Sequence, residues 1–369
     1  MVIEVEIDDS DNDDDFEDNI GNRLEATEDT SDSPVLSESA HPYARLTPDV
    51  VVAAVESTGR FSDARILALN SYENRVYQVG IDDEDPVITK FYRPNRWSDE
   101  QILEEHRFTD YLYQQDIPVV PPLLIGEEGS DRTLSSYEGF QFAIYPRQGG
   151  RAPELDNLDH LNQLGEFIGR IHVAGKSFPF QHRVHLSSTD AHKNVGFLIE
   201  HQFIPHEIRA AYESVTTEIL ALIDQRKPEQ DHYQQISLHG DCHRGNVLWR
   251  DDRPHFVDFD DAITGPAIQD LWMMLSGDSL NQQRQLIEII DGYNMFADFD
   301  LAELNLIEPL RAMRVLHFNS WLAKRWDDPA FPLCFPWFNT ERFWSEHILE
   351  LKETLTALQE PSLRMPDYR

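Results

Sequence analysis

Three side chains bearing hard oxygen atoms crowd into one stretch, residues 236–261. Asp241 and Asn246 stand five residues apart, and Asp258 closes the next short apolar run. Such a set suits transfer of a phosphoryl group. A magnesium-type cation takes carboxylate and amide oxygens, so Asn246 and Asp258 are the candidate metal ligands. The acceptor hydroxyl needs another carboxylate to orient it and take its proton, and Asp241 is the candidate. Asp and Asn are also ordinary turn formers, but an Asp, an Asn five residues on and a second Asp after the next strand form the kinase spacing.

Short strands must bring these residues together. Val247-Leu248-Trp249 and Phe256-Val257 read as a hairpin around a turn at Asp251-Asp252-Arg253-Pro254, which carries Asn246 and Asp258 to one end. His239 is expected to fix the backbone of the loop, with Asp270 as a second anchor. The grouping of His239, Cys242 and His243 lacks a second ligand pair at zinc spacing, so Cys242 reads as a small buried residue.

Upstream, the chain is rich in strands. Residues 48–56 form a short helix with Pro48 in its first turn. Residues 75–79 alternate as a half-buried strand, 86–92 are β-rich, and 82–85 are the turn between them. Lys90 lies on the second of these strands. A helix spans 99–115 and ends before Pro118, and another strand covers 140–145. Pro146 and Gly149-Gly150 then break the pattern. Beyond them the sequence is mainly helical, over 157–174, 207–225, 280–296, 301–324 and 341–358, with 236–260 as a strand-rich island. The next helix after Asp258 is expected near Gln269.

His239-Gly240-Asp241 with Asn246, followed by Val257-Asp258-Phe259-Asp260, resembles the catalytic core of the aminoglycoside-phosphotransferase and choline-kinase branch of the protein-kinase-like fold. The segments Leu69–Tyr77, Lys90–Pro94, Gln101–His106, Leu238–His243 and Gln269–Trp272 resemble the stress response kinase A family of bacterial Ser/Thr protein kinases. The resemblance runs from about residue 45 to the C-terminus. It implies an α+β, bilobal fold, with an ATP-binding, β-rich N-lobe at 45–147 and a mainly helical catalytic C-lobe at 148–369; outside it, the sparse apolar residues and dense charge of 1–44 predict a disordered acidic tail. It further implies that Asp241 and Asp258 are catalytic, that Asn246 and Asp258 hold Mg2+, and that Lys90 and Ser71 contact ATP. A glutamate of helix 99–115 should partner Lys90. Glu104 and Glu105 compete, and Glu105 is preferred because Ile102, Phe108 and Leu112 share its face.

Several features depart from the protein-kinase pattern. No glycine-rich loop covers the phosphates; Asn70-Ser71-Tyr72-Glu73-Asn74 stands there instead. The stretch after Asp258 is short, with no long activation segment, and small-molecule kinases share that trait. The acceptor is therefore a protein Ser/Thr on the stress-kinase resemblance, with a small alcohol (homoserine, choline or an aminoglycoside) as the rival. A non-catalytic nucleotide-binding regulator is the reading of another class.

Composition narrows the partners. The 369 residues carry a net charge of −36, which repels nucleic acid and anionic membrane. Residues 1–44 alone hold fifteen Asp/Glu against one Arg. Two cysteines and no long apolar run or secretory signal suggest a cytoplasmic protein, expected to be a monomer.

Overall fold

The computed structural model describes residues 41–365 except 127, 128 and 231. Most of the acidic segment expected at 1–44 thus lies outside the described residues. Its last residues do not: Tyr43 is buried, and its hydroxyl donates to the Phe91 carbonyl at 3.1 Å.

A five-stranded antiparallel sheet forms the first part. Its strands are β1 (Ser62–Leu69), β2 (Arg75–Ile81), β3 (Glu84–Phe91), β4 (Ser135–Tyr137) and β5 (Phe140–Pro146), in the order β1-β2-β3-β5-β4. Alternation assigns the faces. Val79, Val87, Phe91, Phe142 and Ile144 pack with helix α1 (Pro48–Glu56) through Val51, Ala54 and Val55. Val76, Ile88, Ala143 and Tyr145 point the other way, where Ile102 of α2 (Asp99–Gln114) and Leu248 and Val257 meet them. Lys90 pairs with Val76 and Ala143 in register and so shares this second face. Ser98 caps α2 in a reciprocal capping box with Gln101.

Residues 146–151 leave the sheet and run beside a second hairpin, where Arg151 and Trp249 exchange backbone hydrogen bonds of 3.1 and 2.6 Å. The remainder is helical: α3 (Leu158–Ser177), α4 (Ser188–Glu200), α5 (His206–Gln225), α6 (Ser279–Tyr293), α7 (Ile307–Lys324), α8 (Ala330–Cys334) and α9 (Glu341–Gln359). Two small ladders lie within it, β6 (Ile236–Leu238) with β9 (Ile263–Gly265) and β7 (Val247–Arg250) with β8 (Arg253–Phe256). Helices α3 and α6 cross so closely that a Cβ on Gly165 would lie 1.9 Å from the Ile289 carbonyl oxygen, and one on Gly292 1.9 Å from that of Asn162.

The sheet-and-helix division agrees with the expected bilobal α+β class. Local differences have local causes. Strand β4 is three residues long and α4 is polar with Gly196 inside it, so neither shows a strong period. No α-helix starts near Gln269; short 3-10 turns at Ala267–Asp270 and Trp272–Met274 fill the space before α6. Leu301–Leu306 is likewise a 3-10 turn that precedes α7.

Candidate active site

Strand β6 feeds the loop 239–246, and buried polar groups lock its backbone. His239 is fully buried, and its Nε2 hydrogen-bonds the Val257 carbonyl at 2.9 Å. The Asp270 carboxylate accepts the amide N–H of His239 and of Gly240, each at 2.8 Å. His172 of α3 lies 3.1 Å from the same carboxylate and 3.0 Å from the Tyr293 hydroxyl of α6. Gly240 has a φ of +88°, and a Cβ there would sit 2.1 Å from the Asp261 carbonyl oxygen. Only glycine fits such a position without distortion.

Asn246 ties the loop to the hairpin. Its amide nitrogen donates to the Asp241 carbonyl at 2.9 Å, and its own carbonyl accepts the Val257 N–H at 3.0 Å. The next residue, Asp258, adopts a left-handed backbone, φ 60° and ψ 62°. A non-glycine residue there carries backbone strain, which is frequent at functional sites.

Lys90 reaches this hairpin from the sheet. Its Nζ lies 2.7 Å from Asp258 Oδ1 and 3.3 Å from Asp260 Oδ1. Burial alone would discharge the amine, but the two carboxylates outweigh it and raise the Lys90 pKa well above its ordinary value. Asp260 is itself buried and takes Asn74 at 3.0 Å and the Arg96 guanidinium. Behind Lys90 lies a cavity of about 20 Å³ lined by Val76, Ile88, Glu105, Thr109, Tyr145 and Asp258. Of the two competing glutamates, Glu105 lines this cavity beside Lys90. Burial pushes its carboxyl up to about 7. Glu104 faces the helical part instead, where it accepts the backbone N–H groups of Gln181, His182 and Arg183 at 2.7 Å each. The ion pairs of Lys90 go to Asp258 and Asp260.

The turn between β1 and β2 holds Ser71, partly exposed. Its neighbours are fastened across to the helical part. Glu73 pairs with Arg93 at 3.0 Å and Arg325 at 2.5 Å, and accepts the Trp321 indole N–H at 2.6 Å. Asp328, buried, binds Arg93 at 2.9 Å and Arg75 at 3.2 Å. Of the aromatic cluster at 321–338, Phe331, Phe335 and Phe338 are core, whereas Trp321 serves this junction.

Asp241 is partly exposed at the mouth of the loop, 2.7 Å from Arg314 of α7 and 3.6 Å from His243. Burial pushes its carboxyl up, yet the Arg314 guanidinium and His243 prevail and hold it well below the usual range. Cys242 is buried, and burial pushes its thiol well up, so it is a packed residue with little thiolate character. The structure thus links Asp241 to Asn246, Asn246 to the strand end before Asp258, and Asp258 to Lys90, with Glu105 lining the cavity behind. Sequence reasoning weighed Asp260 for the metal site and set it aside as facing that site less directly, and it passed over Arg96 and Arg314. Asp260 had a signal, two residues beyond Asp258. Arg314 had none, because it arrives from a helix 73 residues away in sequence.

A family model described as the phosphotransferase enzyme family matches residues 65–307. The chain is 42% identical over 337 residues to stress response kinase A of Escherichia coli, which covers 89% of this chain and 99% of that relative. It is 40% identical over 331 residues to serine/threonine protein kinase RdoA of Salmonella typhimurium, with the same coverage. Among solved structures, an amicoumacin kinase in complex with AMP-PNP and Ca2+ matches at TM-score 0.68 and 18% identity, covering 88% of this chain and 97% of that one. A spectinomycin phosphotransferase matches at TM-score 0.59 and 14% identity, covering 84% and 97%. These two likenesses are of fold: a sheet lobe joined to a helical lobe in the protein-kinase manner. The chain belongs to the phosphotransferase enzyme family and, within it, to the stress response kinase A group.

Proposed function

We propose that this enzyme transfers the γ-phosphoryl group of ATP to a Ser or Thr hydroxyl of a protein, as the names of its relatives suggest. The observation that carries this is the contiguous chain of contacts from Asp241 through Asn246 and Asp258 to Lys90, with Asp241 held by Arg314. In this reading the N-lobe is 45–147 and the C-lobe 148–369, with the nucleotide between them.

Lys90 and Ser71 contact the nucleotide, Lys90 at the phosphates, with Glu105 behind it. The donor set suits Mg2+, which favours few protein oxygens and keeps phosphate and water as its other ligands. Asn246 commits its Nδ2 to the Asp241 carbonyl, which turns Oδ1 to the opposite side of the amide. Asp258 gives one carboxylate oxygen to Lys90. When bound, the metal neutralises charge on the phosphate oxygens. Asp241, held ionised, orients the acceptor hydroxyl and receives its proton. A carboxylate so acidic is a weak base, which fits a transition state in which positioning and charge stabilisation dominate. The protein would work in the cytoplasm, in the stress response; among the described residues no helix is long and apolar enough to cross a membrane.

The test is phosphate transfer by the purified full chain, with radiolabelled ATP and Mg2+, to a protein acceptor and to a panel of small alcohols including aminoglycosides. Protein labelling is expected, and Asp241→Ala should lower it on the order of 10²–10⁴-fold. Labelling of small alcohols alone would make the enzyme a small-molecule kinase. Labelling unchanged in Asp241→Ala would remove Asp241 from the mechanism.

A further inference from the structure

The face of α7 beside Asp241 has a charge opposite to that of the chain. Arg314, His317, Phe318, Trp321 and Lys324 fall at helical spacings of three and four, hence on one side. His317 and Lys324 are exposed, and the other three are partly exposed. Phe318 and Trp321 stack with ring centres 5.9 Å apart. Lys324 leans over the Phe197 ring at 5.3 Å and donates to Asn194 at 2.8 Å. Asp190 of α4, near Lys324, is itself paired with Lys193 at 2.8 Å. From Arg314 to Lys324 the face runs ten residues, about 15 Å, roughly the length of five residues of extended polypeptide. It is thus an aromatic strip with a cation at each end, Arg314 paired with Asp241 at one and Lys324 at the other, while burial holds His317 down to about 4 and so uncharged.

The first forty residues of this chain have the complementary charge. The run Asp8-Asp9-Ser10-Asp11-Asn12-Asp13-Asp14-Asp15 is preceded by Ile3, Val5 and Ile7 and followed by Phe16. The described chain begins at His41, whose Nε2 lies 3.6 Å from Asp328, three residues past Arg325. The acidic segment therefore joins the fold at the Lys324 end of the strip. Forty residues extended reach on the order of 130 Å, ample to cover it. The E. coli relative is covered over 99% of its length, while 89% of this chain is matched, so the length in excess belongs to this chain.

We propose that the strip on α7 is a docking face for the chain's own acidic segment around residues 3–16, which there competes with the acceptor for the approach to Asp241. This rests on the reading of Asp241 as the acceptor-side group. An apolar residue at one end of the run, Ile7 or Phe16, would meet Phe318 and Trp321, and the acidic residues on either side of it Arg314 and Lys324. The competition is purely one of occupancy and leaves the nucleotide side untouched.

The test uses the full chain with Asp8, Asp9, Asp11, Asp13, Asp14 and Asp15 replaced by Asn. A labelled peptide of residues 3–16 is titrated against it by fluorescence anisotropy at 0.15 M salt, where the field of distant carboxylates is screened. Saturable binding is expected, at least tenfold weaker in the same chain carrying Lys324→Glu, whose fold is checked by its thermal unfolding. In the transfer assay, the sixfold Asn variant should show a several-fold lower KM for the acceptor than the parent, with KM for ATP unchanged. Absent binding, or binding indifferent to Lys324→Glu, overturns the proposal whether or not phosphate is transferred. Binding that competes with ATP and not with the acceptor overturns it as well. Binding as expected without any transfer would leave the docking face standing and sink the kinase reading.

Discussion

Asp241 has two jobs that pull its acidity in opposite directions. A good proton acceptor has a pKa near the working pH, whereas a good positioning group must stay ionised. Arg314 and His243 resolve this toward the second job by holding the carboxyl well below its ordinary range. The direction sets a testable pH dependence. A folded-state value below that of a free Asp, about 3.9, means the ionised form persists as pH falls. The acid limb of kcat/KM in the parent should therefore lie below about pH 4. Arg314→Gln removes the cation, raises the Asp241 pKa and should move that limb upward, by on the order of one unit for an ion pair of this kind. A pH profile of both proteins from 3 to 8 checks it. A limb that does not move would mean that the ion pair has no hold on the titration.

Helix α2 is positioned through two adjacent glutamates used in different ways. Glu104 receives three backbone N–H groups of residues 181–183 and so bolts the helix to the C-lobe. Glu105 is buried beside Lys90, and burial pushes its carboxyl up to about 7. Its unfolded value is about 4.5, so between the two the folded protein binds the extra proton. The stability contributed by neutral Glu105 is complete below about pH 4.5 and is lost as pH rises through about 7. Glu105→Gln removes this loss. Relative to the parent it should gain stability between pH 5 and pH 8, by on the order of 2–3 kcal/mol given about 1.4 kcal/mol per pKa unit. Denaturant titrations at both pH values read it, and a constant difference would refute it. The helix-face pattern of Ile102, Phe108 and Leu112 was enough to find Glu105 in the sequence. The use made of Glu104 was not legible, because its partners are backbone amides of a loop nearly eighty residues away. The same limit explains the loop 239–246. His239 and Asp270 stood out by type and spacing, while Arg314 and Arg96 bind their carboxylates from elements that no local period links to them. Short-range patterns reveal elements and contiguous motifs, and charge pairs closed by tertiary folding leave no such trace.

At the scale of the whole molecule, the sheet lobe and the helical lobe are joined by more than the connecting segment 146–151. Glu73 and Asp328 form a second junction on the far side of the cleft. Glu73, from the sheet lobe, holds Arg325 and Trp321 of the helical lobe. Asp328, from the helical lobe, holds Arg75 and Arg93 of the sheet lobe and caps Ala330 with a 3.1 Å bond to its N–H. Each carboxylate thus reaches across to the other lobe's arginines, and Asp328 is almost wholly buried. Removing one member of a buried pair leaves its partner charge without compensation, at a cost of roughly 3–5 kcal/mol. Asp328→Ala should therefore release the β1–β2 turn and the segment 325–331 in a local opening before the fold gives way. Amide exchange of residues 70–76 and 325–331 should accelerate by at least about a hundredfold, since each 1.4 kcal/mol is a factor of ten. The α3–α6 crossing has a separate core through Gly165 and Gly292 and should keep its protection. Uniform acceleration would show that the junction carries global stability, and no acceleration would show that the connecting segment 146–151 alone sets how the lobes meet. The local pattern is expected because, among the described residues, the ion pairs of Arg75, Arg93 and Arg325 all go to Glu73 and Asp328, whereas the helical core answers to packing over its whole length.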